Sequence, residues 1–146
     1  MSDHLAAIAR KKQQGEKIVM LTAYDYPLAA LVDACGVDMV LVGDSVANVV
    51  LGLESTREVG ITEMLHHAKA VRRAVRSALL VGDMPYASSQ RGPRQAVTDA
   101  RRLVDEAGCG AVKLEWFDQC LEVAGEIIAA GIPVMGHIGL KIGRAH

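Results

Sequence analysis

Short, continuous runs of apolar residues alternate along the chain with longer segments in which apolar and polar residues recur at helical spacing. The apolar runs predict strands buried on both faces, and the amphipathic segments predict helices that cover them. The predicted strands span residues 17–22, 38–43, 78–82, 111–115 and 132–136. The predicted helices span residues 3–13, 27–35, 62–77, 93–107 and 117–130. Strands that alternate with helices are typical of a parallel sheet with right-handed crossovers.

The helix ends carry sequence signals of their own. Three predicted helices end at a glycine, and an apolar strand begins almost at once, which predicts tight joints between helix and strand. These glycines are Gly36, Gly108 and Gly131. Asp25 and Thr62 are predicted to cap the helices that follow them, and Pro93 is predicted to open another. We find no linker between these elements, so residues 1–146 are expected to form a single α/β domain or part of one.

Composition excludes several classes of partner. The chain has 146 residues, is 51% hydrophobic and 23% charged, and carries a formal net charge of −1. This charge gives no long-range attraction to nucleic acid or to an anionic membrane, and one Trp and one Phe leave little for stacking on bases. No apolar run approaches transmembrane length. The three cysteines lack the spacing of a zinc site, so we expect reduced thiols and a cytoplasmic location.

Three carboxylates stand where predicted strands give way to loops, namely Asp44, Asp83 and Glu115. Carboxylates beside apolar strands cost free energy unless a positive charge neutralises them, so this placement predicts one shared cation. Lys113 and Glu115 are two residues apart on a strand and therefore share a face. Taken singly, each residue has another interpretation: Asp44 as a turn residue, Asp83 as a loop residue, and Lys113 with Glu115 as a structural ion pair.

Five motifs resemble, in their order along the chain, those of a known family. They are spread between Lys17 and Leu140. The motifs are Lys17-Ile-Val-Met-Leu-Thr-Ala-Tyr-Asp-Tyr26, Val42-Gly-Asp-Ser45, Gly82-Asp-Met-Pro85, Val112-Lys-Leu-Glu115 and Gly131-Ile-Pro-Val-Met-Gly-His-Ile-Gly-Leu140. In this order they closely resemble the motifs of ketopantoate hydroxymethyltransferases.

The resemblance implies a fold and an activity. The fold would be a (β/α)₈ TIM barrel of the phosphoenolpyruvate mutase and isocitrate lyase type, with about the first five strands present. The activity would be Mg²⁺-dependent transfer of a hydroxymethyl group from 5,10-methylenetetrahydrofolate to 3-methyl-2-oxobutanoate. The product would be 2-dehydropantoate, on the route to pantothenate and coenzyme A. Members of the family assemble into homo-oligomers.

The resemblance also implies roles for individual residues. The implied metal ligands are Asp44 and Asp83, with Glu115 at the metal or just behind it. The implied substrate contacts are Asp44, Ser45, Asp83 and Lys113. His137 would be a polar catalytic position, and the glycines around it fit a backbone that approaches a ligand closely. Tyr24 and Tyr26 are interpreted as walls of the pocket rather than as acids or bases.

The sequence departs from the family pattern at several places, among them Leu53 and Ser89, which stand where the family is commonly aromatic. Trp116 and Phe117 stand where the family usually has a pair of glycines, and residues 141–146 do not match the family continuation. That continuation carries the glutamate thought to act as general base. We therefore expect a chain truncated after the fifth strand, with little activity alone and a tendency to associate through its open sheet edge.

Two alternatives remain at this point. One is a related lyase acting on another 2-oxo acid, which dependence on folate would distinguish. The other is a non-catalytic half-barrel remnant, which stabilisation by Mg²⁺ with a 2-oxo acid would argue against.

Overall fold

The computed structural model describes residues 3–139, in which one five-stranded sheet is covered by helices. The strands are β1 (Met20–Thr22), β2 (Met39–Val42), β3 (Leu79–Asp83), β4 (Ala111–Glu115) and β5 (Val134–His137). The helices are α1 (Asp3–Gln14), α2 (Tyr26–Ala34), α3 (Val46–Val49), α4 (Ile61–Ala74), α5 (Tyr86–Gln90), α6 (Pro93–Asp105) and α7 (Cys120–Ala129). A 3₁₀ helix spans Thr56–Glu58.

The predicted strands and longer helices are confirmed, with corrections at their ends. Asp25 caps α2, because its Oδ1 accepts the Leu28 N–H at 2.8 Å. The predicted cap at Thr62 is wrong: α4 begins at Ile61, and its N-terminus is closed by the Glu63 carboxylate, which accepts the Gly60 N–H at 2.9 Å. The short helices α3 and α5 and the 3₁₀ helix were not predicted, since each is too brief to show a helical period.

All strands are parallel, and their order in the sheet is their order in the chain. A sheet built by successive crossovers of one hand carries its connecting helices on one face and curls away from them. The arrangement is that of consecutive units of a (β/α) barrel rather than of a doubly wound sheet, in which the strand order reverses. The prediction for residues 141–146 lies outside the described residues.

The sheet separates two apolar clusters. The larger lies between the sheet and the helices and contains alternate strand residues such as Val40, Leu80 and Val112. The smaller lies on the opposite, inner face, where α1 closes it with Leu5 and Ile8. The inner cluster contains Met39, Leu41, Leu79, Val81 and Ala111. In residues 3–139 no helix is long and apolar enough to cross a bilayer.

The inner face changes character along the strands. Side chains on a strand alternate between faces, so Asp83 continues the row of Leu79 and Val81, and Lys113 and Glu115 continue the row of Ala111. Register then sets the neighbours: Asp83 pairs with Lys113 across β3 and β4, and Glu115 pairs with His137 across β4 and β5. The inner face of the sheet is therefore apolar toward the amino ends of the strands and charged at their carboxyl ends.

The cysteines are thiols that form no disulfide among the described residues. All three are free, with Cys109 and Cys120 buried and Cys35 exposed. Burial raises the pKa of the Cys109 thiol to about 12, which keeps it protonated and unreactive.

A buried carboxylate near the end of α2 supports a first prediction. Asp33 accepts the backbone N–H groups of Arg76, Ser77 and Ala78 at 2.8–3.2 Å, which fixes the approach to β3. Asp33→Asn keeps the shape but removes the charge, so we expect the free energy of unfolding to fall by about 2 kcal/mol. Urea denaturation measures this, with exposed Asp105→Asn as the control. An unchanged midpoint for Asp33→Asn would contradict it.

The same residue gives a pH dependence. Burial acts to raise the Asp33 pKa, but the three N–H donors outweigh it and hold the pKa below the ordinary value of 3.8. Because the folded-state pKa is lowered, the stabilisation is complete above the ordinary value and is lost as pH falls through the lowered one. We expect the difference in stability between the native chain and Asp33→Asn to shrink only below about pH 4.

Candidate active site

A lysine ammonium links two carboxylates at the carboxyl ends of β3 and β4. Lys113 Nζ lies 2.8 and 3.0 Å from the two Asp83 oxygens and 3.1 Å from Glu115 Oε1. Asp83 is buried, and the Lys113 side chain is only 13% exposed. The structure thus brings together three of the residues predicted for the site. A single ammonium does not balance the carboxylates around it, so the site retains negative charge.

His137 extends this group across β4 and β5. Its Nδ1 lies 2.6 Å from Glu115 Oε1, the same oxygen that contacts Lys113. A proton on Nδ1 donates to Glu115 and leaves Nε2 as a hydrogen-bond acceptor. Glu115 therefore orients both the histidine ring and the lysine.

Asp44 follows β2 and lies against Asp83. The Asp44 backbone N–H donates to Asp83 Oδ2 at 3.2 Å. The Asp44 side chain is itself buried, and its Oδ2 has no hydrogen-bond partner among the described residues. Thr56 Oγ1, in the 3₁₀ helix, is likewise buried without a hydrogen bond of good geometry in residues 3–139, although its hydroxyl lies close enough to the Asp44 carboxyl to act against the rise in that group's pKa. A buried carboxylate oxygen without a donor is costly, and it is the type of atom that accepts a cation.

The pKa values reflect this charge imbalance. Burial, together with the nearby Asp83 carboxylate, raises the Asp44 pKa to about 6, although Lys113 opposes the rise. Burial also raises the Asp83 pKa, and Lys113 offsets part of that rise. Burial acts to lower the Lys113 pKa, but Asp83 and Glu115 outweigh it, so that pKa is raised and the ammonium is held charged.

Ser45 is positioned by a tyrosine that the sequence suggested only as a wall residue. Tyr24 Oη and Ser45 Oγ lie 2.7 Å apart. Tyr24 is in turn close to α4, since His67 Nδ1 lies 2.7 Å from its carbonyl oxygen. Gly43 lies directly beneath: a Cβ there would lie 2.9 Å from Ser45 Oγ and 3.5 Å from Asp83 Oδ2. The absence of a side chain at Gly43 therefore leaves room beside both functional groups.

The predicted metal ligands are only partly brought together. Within residues 3–139, no three side chains of the ligating types form a ready metal cluster. Glu115 is occupied by Lys113 and His137, whereas Asp44 has an unpartnered buried oxygen next to Asp83. Mg²⁺ in proteins is commonly held by one or two carboxylates, with waters and substrate completing its shell. Asp44 and Asp83 fit such an ion, and Glu115 fits a place just behind it.

A cavity of about 410 Å³ adjoins this group at the ends of β3 and β4. It lies between α5 and the loop after β4, and the 3₁₀ helix closes one side. Its lining residues are Arg57, Met84, Tyr86, Ser89, Gln90, Glu115, Trp116, Phe117, Asp118 and Gln119. Of the predicted site residues, only Glu115 lines it.

Several of these residues could not be found by sequence reasoning. The Arg57 guanidinium stacks on the Tyr86 ring at 4.5 Å from its centroid, which joins the 3₁₀ helix to α5. Neither residue belongs to a motif that pointed to the site, and no local signal places them there. Thr56 was missed for the same reason.

Comparisons with known proteins agree with this picture. The ketopantoate hydroxymethyltransferase family model matches residues 3–146. A 3-methyl-2-oxobutanoate hydroxymethyltransferase of Syntrophomonas wolfei subsp. wolfei is 49% identical over 97% of this chain and 51% of its own length. The protein of that name from Ignicoccus hospitalis is 52% identical over 95% of this chain and 52% of its own length. The chain spans about half the length of the curated relatives it matches.

Solved structures support the fold. A 2,3-dimethylmalate lyase of the PEP mutase/isocitrate lyase superfamily aligns with a TM-score of 0.65 at 16% identity, over 93% of this chain and 53% of the lyase. A phosphonopyruvate hydrolase in complex with oxalate and Mg²⁺ aligns with a TM-score of 0.66 at 17% identity, over 89% of this chain and 47% of the hydrolase. At such identity the likeness concerns the fold alone, and it confirms the predicted barrel class. With the family match over nearly all of its residues, the chain belongs to the ketopantoate hydroxymethyltransferase family.

Proposed function

We propose that this protein transfers a hydroxymethyl group from 5,10-methylenetetrahydrofolate to 3-methyl-2-oxobutanoate and forms 2-dehydropantoate, with Mg²⁺ as its metal. The observation that carries the proposal is the linked group Asp83, Lys113, Glu115 and His137, with the unpartnered Asp44 oxygen beside it. Its members stand in the motifs shared with the family. Assembly into homo-oligomers belongs to the same proposal.

Each residue has a role that follows from its surroundings. Lys113 is held charged by Asp83 and Glu115, and it would pair with the substrate carboxylate once Mg²⁺ balances the charge of Asp44 and Asp83. Ser45, fixed by Tyr24, offers a hydroxyl to the same substrate. Asp44 and Asp83 hold Mg²⁺, and Glu115 keeps Lys113 and His137 in position behind them. When bound, the metal supplies a positive charge that favours loss of a proton from the carbon next to the keto group.

The reaction balances as follows. The keto acid loses a proton from that carbon, and a carbon–carbon bond forms to the methylene carbon of the donor. Both carbon–nitrogen bonds to the methylene carbon break, and water supplies the hydroxyl oxygen. The proton from the keto acid and one from water end on the two donor nitrogens. The residues of this chain bind and orient the keto acid for formation of the new bond.

Two measurements test the proposal on the 146-residue chain. MgCl₂ with 3-methyl-2-oxobutanoate is expected to raise the melting temperature well beyond either alone, since a ligand at 100 times its Kd adds about 2.7 kcal/mol of stability. Hydroxymethyl transfer is then assayed with methylenetetrahydrofolate. The general-base glutamate implied by the resemblance is not matched within residues 1–146, so we expect turnover reduced by about 10²–10⁴-fold relative to the family. An unchanged melting temperature would contradict the proposed binding of metal and keto acid. Turnover at the family rate would contradict the expected reduction in turnover.

Gly43 gives a further prediction. In Gly43→Ala the new methyl group would meet Ser45 Oγ at 2.9 Å, so the hydroxyl must shift from its place beside Tyr24 Oη. We expect affinity for the keto acid in the presence of Mg²⁺ to fall about tenfold or more. Isothermal titration calorimetry measures it. Gly125→Ala in α7 is the matched control, because a Cβ there meets nothing within 4 Å. Equal affinities in the two variants would contradict the assignment of Ser45.

A further inference from the structure

We propose that the cavity between α5 and the loop 116–119 binds the ring system of the one-carbon donor, so that donor and keto acid occupy adjoining subsites. This inference rests on the proposed function and deepens it, because neither the motifs nor the linked charged group assigns a place to the donor. The ligand class is a flat, conjugated heterocycle that carries amino groups.

The cavity is distinct from the charged group. Asp44, Asp83 and Lys113 do not line it, whereas Glu115 does. Its volume of about 410 Å³ lies within the usual range of small-molecule sites and exceeds what a small keto acid fills. The space is therefore available to a second and larger ligand.

The walls have the chemistry that such a ring requires. Tyr86, Trp116 and Phe117 offer aromatic surfaces from two sides, and flat conjugated rings stack on such surfaces. Gln90, Asp118 and Gln119 offer carboxylate and amide groups, which accept hydrogen bonds from amino groups. Tyr86 is held in place by the Arg57 guanidinium on its face, so part of the cavity wall is fixed before any ligand binds.

The position of the cavity also suits a two-substrate reaction. A new carbon–carbon bond requires the donor carbon to approach the keto acid closely, within about 3–3.5 Å. Glu115 is shared between the two regions, so a ligand in the cavity lies directly beside a keto acid held by Lys113. Trp116 and Phe117, which follow β4 directly, thereby acquire a role as walls of the donor subsite in this chain.

The test measures donor binding rather than turnover. The probe is 5-formyltetrahydrofolate, titrated by calorimetry into the chain with MgCl₂ and 3-methyl-2-oxobutanoate present. Trp116→Ala and Tyr86→Leu are expected to weaken its binding about tenfold or more. Trp116 is 44% exposed, so its removal is not expected to disturb folding. Ile128→Ala is the control: Ile128 is 58% exposed near the C-terminal end of α7, at the opposite end of the strands, and binding should not change.

Each outcome decides the inference. Loss of affinity in both variants with an unchanged control supports the donor subsite. Unchanged affinity in the variants, or no binding of the probe to the native chain, overturns it. Stabilisation by Mg²⁺ with the keto acid is measured on the same samples. If that stabilisation persists while the probe result is negative, the subsite fails and the proposed function stands; if it is absent in the native chain, the proposed function fails as well.

Discussion

Lys113→Met is expected to lower the free energy of unfolding by about 3–5 kcal/mol. The substitution keeps the apolar stem but removes the ammonium that bonds both Asp83 oxygens and Glu115 at 2.8–3.1 Å. Buried carboxylates would then lack their counter-charge, and such a loss costs far more than the pair itself contributes. Urea denaturation at neutral pH provides the measurement.

The matched control for this prediction is Lys69→Met. Lys69 Nζ also makes an ion pair, at 2.9 Å from Glu106 Oε2, but both side chains are 40% exposed. Exposed pairs are screened by water and salt, so this variant should change stability only slightly. Similar losses in the two variants would show that Lys113 does not hold a buried charge cluster together.

Asp44→Asn is expected to abolish the rise in melting temperature produced by MgCl₂ with 3-methyl-2-oxobutanoate. The substitution removes one of the two carboxylates that fit the metal. The metal-free protein should, in contrast, become more stable by about 1 kcal/mol, because a buried and unpartnered carboxylate next to Asp83 is destabilising. A substitution that weakens ligand binding but stabilises the ligand-free protein is typical of a functional residue.

Thermal unfolding with and without the ligands measures both parts of this prediction. Asp105→Asn, an exposed change at the end of α6, is the control and should keep the full response. A normal ligand response in Asp44→Asn would exclude this carboxylate as a metal ligand.

Much of the fold could be predicted from sequence because the signals are local. Apolar runs define the strands, and glycines such as Gly36, Gly108 and Gly131 adopt positive φ at the helix ends where they were expected. Alternation along a strand then places Lys113 and Glu115 on one face. Convergence of Asp83, Lys113, Glu115 and His137 follows from parallel pairing, since the carboxyl ends of parallel strands meet at one edge.

The remaining features depend on tertiary contacts. The contact of Asp44 with Asp83 joins residues 39 positions apart, and the approach of Thr56 to Asp44 depends on the path of the loop after α3. The stacking of Arg57 on Tyr86 likewise joins the 3₁₀ helix to α5, and no local pattern encodes the meeting of these elements. Sequence reasoning placed three carboxylates around one cation, whereas the structure places the Lys113 ammonium between two of them. Strand register decides that pairing, and composition does not reveal it.

Crystals of the protein grown with MnCl₂ and 3-methyl-2-oxobutanoate would test the central claim most directly, because Mn²⁺ occupies oxygen sites of this type and gives an anomalous signal. The account predicts one anomalous peak within bonding distance, about 2.0–2.3 Å, of carboxylate oxygens from both Asp44 and Asp83, with the keto acid completing the coordination. A keto acid bound with no metal at these residues, or a metal held elsewhere, would contradict it.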